Sequence, residues 1–271
     1  MNINYIPTLT IAGSDSSGGA GIQADLKAMS ALGCYAMSVL TAVTAQNTQG
    51  VLGVQPVSAE MVALQLQAVL EDIPPLAIKT GMLFDATIIE AVATALEQVD
   101  ILLVVDPVMV ATSGDRLLSK EAEAVLKRRL VPLATLLTPN LMEAEVLSGV
   151  KIDSRSALYE AGQYLLALGT KAVLIKGGHT ADAEATDYLF TDKGVTTFSS
   201  ARIETANTHG TGCTLSAAIT AYIARGLSLE MAIERGKEYL SEALNSGKMV
   251  AIGQGHGPVD HFFQPQSSIK R

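Results

Sequence analysis

The sequence predicts an α/β fold with three layers, in which helices cover both faces of a mostly parallel β-sheet. Short apolar runs alternate with segments of helical periodicity along almost the whole chain. The run Ile101–Val105 is apolar without interruption, as expected for a parallel strand covered on both faces. Polar and glycine-rich stretches follow the ends of these runs, where open α/β sheets bind their ligands. We therefore predict one domain spanning residues 1–271, with a binding crevice at the carboxyl ends of its strands.

Composition and charge exclude several classes of protein. Of the 271 residues, 48% are hydrophobic, which is enough for a large core. The net charge is −8, with 27 acidic against 19 basic residues, and this argues against a nucleic-acid partner. No apolar run approaches the roughly 20 residues that span a bilayer, so no membrane partner is expected. The 2 cysteines have neither zinc nor disulfide spacing and no signal-peptide pattern is present, so we expect a cytoplasmic protein.

The amino-terminal part of the chain predicts a strand, a glycine loop, a helix and a second strand. Thr8–Ala12 is a short apolar run, and residues 13–21 form a glycine-rich loop before an amphipathic helix. Asp25 falls on the first turns of this helix, where it either complements the helix dipole or binds substrate. Tyr35–Val43 predicts a strand that leads into a polar loop. In that loop Gln46 is either solvated or pairs with the edge of a heterocycle.

The alternation of strands and helices continues along the rest of the chain. Asp106 directly follows the strand Ile101–Val105 and faces the predicted crevice, so a metal or phosphate role and a capping role are both open. Thr186–Ser199 predicts a hairpin that turns at Asp192–Gly194. The other predicted elements are a helix from Pro56 through Leu70, a strand at Ala77–Met82, a helix with Ile88 and Leu96, a helix at Lys120–Leu130, a strand at Thr135–Thr138, a short helix containing Glu143, a helix from Leu158 to Leu168, a strand at Ala172–Ile175 and a helix at Leu229–Leu244.

The stretch Asn207–Ser216 changes from turn residues to helical periodicity and predicts an anion site. Gly210 and Gly212 remove side chains where backbone amides would approach an anion. A helix is predicted to begin near Cys213, and its first amides and its dipole would hold a phosphate. At such a helix start, the pKa of the Cys213 thiol is expected to fall. An ordinary glycine turn before a buried helix is the alternative, since the stretch matches neither the Walker nor the dinucleotide-binding glycine pattern.

The polar residues that follow strands or begin a helix form a set suited to phosphoryl transfer. They are Asp106, Asn140, Glu143, Lys176 and the amides of Gly210–Cys213. Carboxylates hold Mg²⁺ through oxygen, a lysine neutralises phosphate charge, and fixed amides stabilise the transferred group. We therefore expect a single crevice to collect these residues.

Beyond these single features, the chain contains a series of motifs in a fixed order. They are Thr10–Lys27, Ala45–Thr48, Lys79–Met82, Asp106–Met109, Thr138–Asn140 with Glu143, Lys176–His179 and Thr208–Thr214. This series closely resembles the bacterial hydroxymethylpyrimidine/phosphomethylpyrimidine kinases of thiamine synthesis, which belong to the ribokinase-like superfamily. The resemblance runs from about Thr8 to Gly257 and Pro258, which is nearly the whole chain.

The resemblance implies a ribokinase-like kinase that uses ATP and Mg²⁺. It would phosphorylate 4-amino-5-hydroxymethyl-2-methylpyrimidine to the monophosphate and then to the diphosphate. The resemblance places Gln46 against the pyrimidine, with Asp25, Ala12, Gly13, Met82 and Val108 around the same pocket. It assigns nucleotide binding to Asp106, Asn140, Lys176, Thr211 and Lys237, and the metal to Asp106 and Glu143. It assigns catalysis to Cys213, Gly210, Thr211, Gly212 and Lys176, with the cysteine either as a base or as part of the anion hole.

Two alternative functions remain open from the sequence. One is a pyridoxal or pyridoxine kinase of the same superfamily, against which Ala45–Asn47 favours the pyrimidine enzyme. The other is a catalytically silent nucleotide-binding regulator, against which the intact acidic, lysine and cysteine residues argue. The resemblance also implies a homodimer, and Tyr35–Val43 is a candidate exposed strand for its contact. His209, within the anion loop, either touches phosphate or is structural.

Overall fold

A computed structural model describes residues 4–109, 118–177 and 184–270. The strands in these ranges are β1 (Pro7–Asp15), β2 (Tyr35–Asn47), β3 (Gly50–Pro56), β4 (Ala77–Thr80), β5 (Leu102–Val105), β6 (Leu136–Leu137), β7 (Val173–Ile175), β8 (Glu184–Thr191) and β9 (Gly194–Ala201). They form one sheet in the order β3-β2-β1-β4-β5-β6-β7-β8-β9. The pairings β2–β3, β7–β8 and β8–β9 are antiparallel, and the other pairings are parallel.

Helices pack on both faces of this sheet. They are α1 (Gly21–Ala31), α2 (Ala59–Asp72), α3 (Ala86–Leu96), α4 (Lys120–Val125), α5 (Leu141–Ser148), α6 (Arg155–Leu166), α7 (Thr211–Ala224) and α8 (Leu229–Gly247). Buried apolar residues of α2 to α6 form one core with the sheet, and those of α1, α7 and α8 form a second core on the other face. The predicted three-layer α/β fold is therefore confirmed.

The hairpin after α1 differs from the sequence prediction. β2 continues to Asn47 through polar residues that predicted a loop, and after a turn the chain returns as β3, which was not predicted. Gln46 therefore lies in a strand and not in a loop. Of the predicted exposed strand Tyr35–Val43, β3 covers only Ala42 and Val43, whereas residues 35–40 have a strand partner in β1 alone, so a dimer contact through this edge stays a prediction. Among the strands of the described ranges, β3 and β9 form the edges of the sheet.

The other predicted elements correspond closely to the observed ones. The helix expected at Lys120–Leu130 is α4, continued by a π-helical turn at Leu126–Leu130. The expected hairpin around Asp192–Gly194 is β8 and β9. Within the ranges that the structure covers, no helix is both long and apolar enough to cross a bilayer.

The carboxyl end of β6 shows how the fold fixes polar side chains at the sheet edge. Asn140 caps α5, because its Oδ1 accepts the N–H of Glu143 at 2.9 Å, and Glu143 Oε2 accepts the N–H of Asn140 at 2.8 Å. This reciprocal capping box satisfies two amides that a helix start leaves without partners. It also holds both side chains beside the ends of the neighbouring strands.

Candidate active site

A cavity of about 500 Å³ lies at the carboxyl ends of the parallel strands. The predicted site residues that line it are Ala12, Gly13, Gln46, Met82, Asp106, Val108, Asn140, Glu143, Lys176, Gly210, Thr211, Gly212 and Cys213. The order of the sheet divides the cavity into a β1 half, beside β1, β2 and β4, and a β5 half, beside β5, β6 and β7. α7 packs against β1, β4 and β5, so its first residues lie between the two halves.

Gln46 reaches the β1 half because β2 is irregular at this point. The pairing of β2 with β3 shifts register between Ala45 and Gln46, and such a bulge redirects a side chain. The backbone of Gln46 is fixed by the Ser16 hydroxyl, which accepts its N–H at 2.9 Å and donates to its carbonyl at 2.8 Å. Its side-chain oxygen accepts from Thr44 Oγ1 at 3.2 Å. The side chain is therefore held at the cavity wall, where its amide can pair with the edge of a planar ring.

Gly13 and Met82 give the β1 half an apolar surface. The N–H of Gly13 donates to the Met82 carbonyl at 3.1 Å. A Cβ at Gly13 would overlap the end of the Met82 side chain, so glycine is what allows this side chain to lie against β1. An apolar wall beside one amide group suits a flat heterocycle that carries a few polar atoms.

Asp25 does not line the cavity, which corrects the prediction that it surrounds the substrate. Its side chain is completely buried, accepts from Thr10 Oγ1 at 2.6 Å and is paired with the equally buried Lys79 at 2.5 Å. Burial raises the pKa of Asp25, while Lys79 opposes the increase. Sequence reasoning gave Lys79 no role, because the pairing of a helix residue with a strand residue depends on how α1 packs on β4. The pair lies beneath Gly81, where a Cβ would be 3.6 Å from Lys79 Nζ.

Asp106 and Lys176 form a buried ion pair in the β5 half. Asp106 Oδ1 accepts from Lys176 Nζ at 2.8 Å, and Asp106 Oδ2 accepts from Ser216 Oγ on α7 at 2.9 Å. Burial opposes the charged form of Asp106, but Lys176 and Lys79 outweigh it and hold the pKa of the carboxyl below its ordinary value. The pKa of Lys176 is raised, because Asp106 and Glu143 outweigh its own burial. Both groups are therefore charged, as phosphate chemistry requires.

Glu143 is buried beside this ion pair. Burial raises the pKa of its carboxyl to about 7, and Asp106 adds to the increase, whereas Lys176 opposes it. In the part of the chain that the structure covers, no three His, Cys, Asp or Glu side chains come close enough to hold a metal by themselves. Mg²⁺ is usually bound by one or two carboxylates, and waters and substrate phosphates supply its other ligands. Asp106 and Glu143 therefore fit Mg²⁺ better than a metal ion that takes all its ligands from protein side chains.

Replacing Glu143 with glutamine is expected to stabilise the ligand-free protein at alkaline pH. The folded-state pKa of about 7 exceeds the ordinary value of 4.5, so the native state loses stability as pH rises through this interval, and the loss is complete above it. The glutamine carries no charge and keeps an oxygen for the Asn140 amide. The gain in Tm over wild type should be larger at about pH 8.5 than at about pH 5.5, measured without divalent cations. An equal change in Tm at both pH values would contradict a buried, titrating Glu143.

The anion loop has the backbone geometry that its sequence predicts. Gly210 has a φ of 76°, in the left-handed region, and α7 begins directly after it. A Cβ at Gly210 would overlap the carbonyl oxygen of Gly19. A Cβ at Gly212 would lie 3.5 Å from Lys176 Nζ and 4.0 Å from Asp106 Oδ2. The first residues of α7 therefore line the cavity next to a lysine, which is a suitable place for a phosphate. The N–H of Thr211 already donates to the Thr208 carbonyl at 3.3 Å.

The expected fall in the pKa of the Cys213 thiol is wrong. Burial raises this pKa to about 11, because the opposing effect of the Lys79 ammonium is smaller and the charges of Asp25 and Asp106 add to the increase. The helix start favours a thiolate, but burial among carboxylates outweighs it. The resting side chain at neutral pH is a thiol, which can donate or accept a hydrogen bond but is not ready to remove a proton.

The thiol of Cys213 is therefore expected to react slowly with iodoacetamide. Alkylation of the ligand-free protein at about pH 7.5 should be slower than that of a free cysteine peptide, because only the thiolate reacts. The rate should rise with pH towards a midpoint of about 11. A Cys213→Ala variant retains only Cys34, which is buried, so the difference between the two proteins isolates the rate at Cys213. A midpoint below the ordinary thiol pKa of about 8.5 would instead support the sequence-based expectation that the pKa of Cys213 is lowered.

Asp15 and His209 form a pair in the β1 half that sequence reasoning did not identify. His209 Nε2 lies 2.8 Å from Asp15 Oδ2, and both residues line the cavity. Asp15 also accepts the backbone N–H groups of Ser17, Gly19 and Ala20 at 2.8, 3.0 and 2.8 Å. The signals in the sequence were an aspartate in a glycine-rich loop and a histidine in the anion loop, and neither indicated that the two residues would pair.

Lys237 lies outside the cavity. Its Nζ is 2.7 Å from Asp187 Oδ2, and Asp187 Oδ1 accepts the N–H of Gly177 at 2.9 Å. The nearly buried lysine thus supports the backbone that follows Lys176. His179, the last residue of the motif that begins at Lys176, lies outside the described residues.

Comparison with known proteins identifies relatives over nearly the whole chain. Residues 15–260 match a family model described as phosphomethylpyrimidine kinase. A hydroxymethylpyrimidine/phosphomethylpyrimidine kinase of Rhizobium meliloti is 50% identical over 94% of this chain and 96% of its own length. The thiamine biosynthesis bifunctional protein ThiED of Geobacter sulfurreducens is 51% identical over 94% of this chain and 52% of its own length. A Staphylococcus aureus pyridoxal kinase, solved with AMP-PCP and pyridoxal, is 35% identical with a TM-score of 0.87, covering 96% of this chain and 94% of that one.

Proposed function

The chain belongs to the phosphomethylpyrimidine kinase family, and we propose that it phosphorylates 4-amino-5-hydroxymethyl-2-methylpyrimidine to its monophosphate and then the monophosphate to the diphosphate. The match that carries this proposal spans residues 15–260, which include every residue named above in the cavity except Ala12 and Gly13. The relatives bear out the sequence-based prediction of a kinase of thiamine biosynthesis over a pyridoxal kinase or a silent regulator.

In the first reaction the hydroxymethyl oxygen attacks the γ-phosphorus of ATP, the bond to the β-phosphate oxygen breaks and ADP leaves. The β1 half holds the acceptor ring through Gln46, and the β5 half holds the phosphates of ATP. The α7 amides stabilise the oxygens of the transferred group, and Lys176 neutralises their charge. ATP as donor is supported by the pyridoxal kinase solved with AMP-PCP.

Two groups complete the proposed mechanism. Asp106 and Glu143 would hold Mg²⁺, which when bound neutralises phosphate charge. Cys213 lies between the two halves as a thiol, so it orients the hydroxyl or contributes to the anion hole. The hydroxyl proton passes to an oxygen of the transferred phosphate or to water as the new bond forms. In the second reaction a phosphate oxygen of the monophosphate attacks the γ-phosphorus of a second ATP, and ADP again leaves. The attacking oxygen is already ionised near neutral pH and has no proton to lose.

The remaining features of the enzyme follow from its family and composition. We propose a single domain over residues 1–271, a homodimer, and a cytoplasmic location, with neither nucleic acid nor membrane as a partner. A dimer contact through a strand edge would involve β3, β9 or the part of β2 before Ala42, which β3 does not cover. Lys237 is proposed to act on the nucleotide indirectly, through Asp187 and Gly177.

The reaction is tested by measuring ADP release with three acceptors. We expect release with the pyrimidine alcohol and with its monophosphate, and little with pyridoxine. Release with pyridoxine alone would instead identify a pyridoxal-type kinase. ATP binding without release in the presence of any of the three would favour the regulator.

Replacing Gln46 with alanine is expected to raise KM for the pyrimidine alcohol about tenfold, because the ring loses its amide partner in a partly buried pocket. The effect on kcat should be smaller, since the amide does not touch the transferred phosphate. Gln55→Ala provides a matched control, because Gln55 is exposed on the adjacent β3 strand and should leave KM unchanged. An unchanged KM in Gln46→Ala would remove this residue from ring recognition.

A further inference from the structure

The monophosphate, which is the acceptor of the second reaction, differs from the pyrimidine alcohol by a phosphate group. This group carries almost two negative charges near neutral pH. This group enters a cavity that already contains the carboxyl groups of Asp15, Asp106 and Glu143. Lys176, the lysine among the described residues that line the cavity, lies in the β5 half and is bound to Asp106 at 2.8 Å. Under the proposed function Lys176 also serves the phosphates of ATP. The acceptor phosphate, in the β1 half, therefore requires a positive group of its own.

His209 is placed to supply that group. It directly precedes Gly210, and its ring is fixed to Asp15 at the end of β1, so it lies in the β1 half beside the anion loop. Among the described residues that line the cavity, the side chains that can carry positive charge are those of Lys176 and His209.

The surroundings of His209 fix which edge of the ring is available. A Cβ at Gly19 would overlap His209 Cδ2 and would lie 3.1 Å from Nε2, so this edge packs against the loop after β1. Nε2 is committed to Asp15 at 2.8 Å. In a protonated imidazole both nitrogens donate, which leaves Nδ1 on the opposite edge for an anion.

Asp15 acts as the positioning residue for this ring. Its carboxylate accepts from the amides of Ser17, Gly19 and Ala20 and from the Ser17 hydroxyl at 2.7 Å. Burial opposes the charged form, but the hydrogen bonds to His209 and Ser17 outweigh it, so the pKa of Asp15 lies well below its ordinary value. The oxygens of Asp15 are thus fully engaged, and this residue anchors His209 without binding the substrate itself.

We propose that His209, held by Asp15, binds the phosphate group of the monophosphorylated acceptor and makes this site competent for a phosphomonoester as well as an alcohol. The proposal rests on the proposed function. It makes His209 a specificity residue for the second phosphorylation.

The test is the ratio of kcat/KM for the monophosphate to kcat/KM for the alcohol. In His209→Gln, which keeps a donor but loses the charge, we expect this ratio to fall by at least about tenfold, with the larger part in KM of the monophosphate. His256→Gln is the matched control, because His256 is exposed and lies outside the cavity, and its ratio should equal that of wild type. Equal losses for both acceptors in His209→Gln would overturn the proposal.

A second measurement uses the wild-type enzyme, in case the variant does not fold. With ¹⁵N-labelled histidines, saturating monophosphate should shift the ring nitrogens of one buried histidine, and the alcohol should shift them much less. Identical spectra with the two ligands would contradict the proposal. A wild-type enzyme that phosphorylates the alcohol but neither binds nor phosphorylates the monophosphate would instead refute the second half of the proposed function.

Discussion

Replacing Lys176 with glutamine is expected to lower kcat for both acceptors by about 10²- to 10³-fold, the range measured when one transition-state donor is removed from an enzyme. The lysine lies beside the start of α7, where a Cβ at Gly212 would be 3.5 Å from its Nζ, so it faces the position predicted for the transferred phosphate. Its charge is fixed in place by Asp106 at 2.8 Å before substrate arrives. Such a preorganised charge needs no rearrangement during the reaction.

The same substitution leaves Asp106 without its main counter-charge. Lys176 is the largest contribution that lowers the pKa of Asp106, so this pKa should rise, while the loss of a cation 2.8 Å from the carboxylate removes a repulsion on Mg²⁺. Initial rates at several Mg²⁺ concentrations would show a lower kcat without a higher Mg²⁺ requirement. Lys193→Gln, at the exposed turn between β8 and β9, is the control and should change neither. A loss of less than about threefold in Lys176→Gln would contradict the assignment of the lysine to the transferred phosphate.

Replacing Gly210 with alanine is expected to lower both phosphorylations by about 10²-fold or more, because it displaces the amides of the anion loop. The new Cβ would overlap the Gly19 carbonyl, and a backbone oxygen cannot turn away as a flexible side chain can. Its φ of 76° adds the strain of a left-handed conformation. The chain must therefore move at the point where α7 begins.

Gly149→Ala is a control that separates the overlap with a neighbouring carbonyl from the strain of a left-handed φ. Gly149 ends α5 with a φ of 74°, nearly the same as Gly210, but a Cβ there meets no atom within 4 Å. Gly149→Ala should therefore cost about 1 kcal/mol of stability and leave kcat unchanged. Activity and Tm of both variants, measured together, distinguish displacement of the loop from general strain. Full activity in Gly210→Ala would show that the amides of the anion loop do not stabilise the transferred group.

Individual residues show why part of the site escaped prediction. Asp106, Asn140 and Lys176 were identifiable because each follows a strand, and parallel strands place such positions at the same edge of the sheet. Asp25 looked equivalent, since it falls on the first turns of a helix that follows a glycine loop. In the fold it points into the layer between α1 and the sheet, where Lys79 meets it. Nothing in the spacing of residues 25 and 79 indicates that contact.

The chain by itself determined the three-layer α/β fold, the polar positions at the strand ends and the glycine loop at the start of α7. These features depend on local periodicity and on backbone freedom, which neighbouring residues specify. Tertiary structure alone decided the protonation of Cys213, the burial of Asp25 and the pairing of Asp15 with His209, which are 194 residues apart. A pKa depends on burial and on the charges within a few ångströms, and both arise only when distant segments pack together.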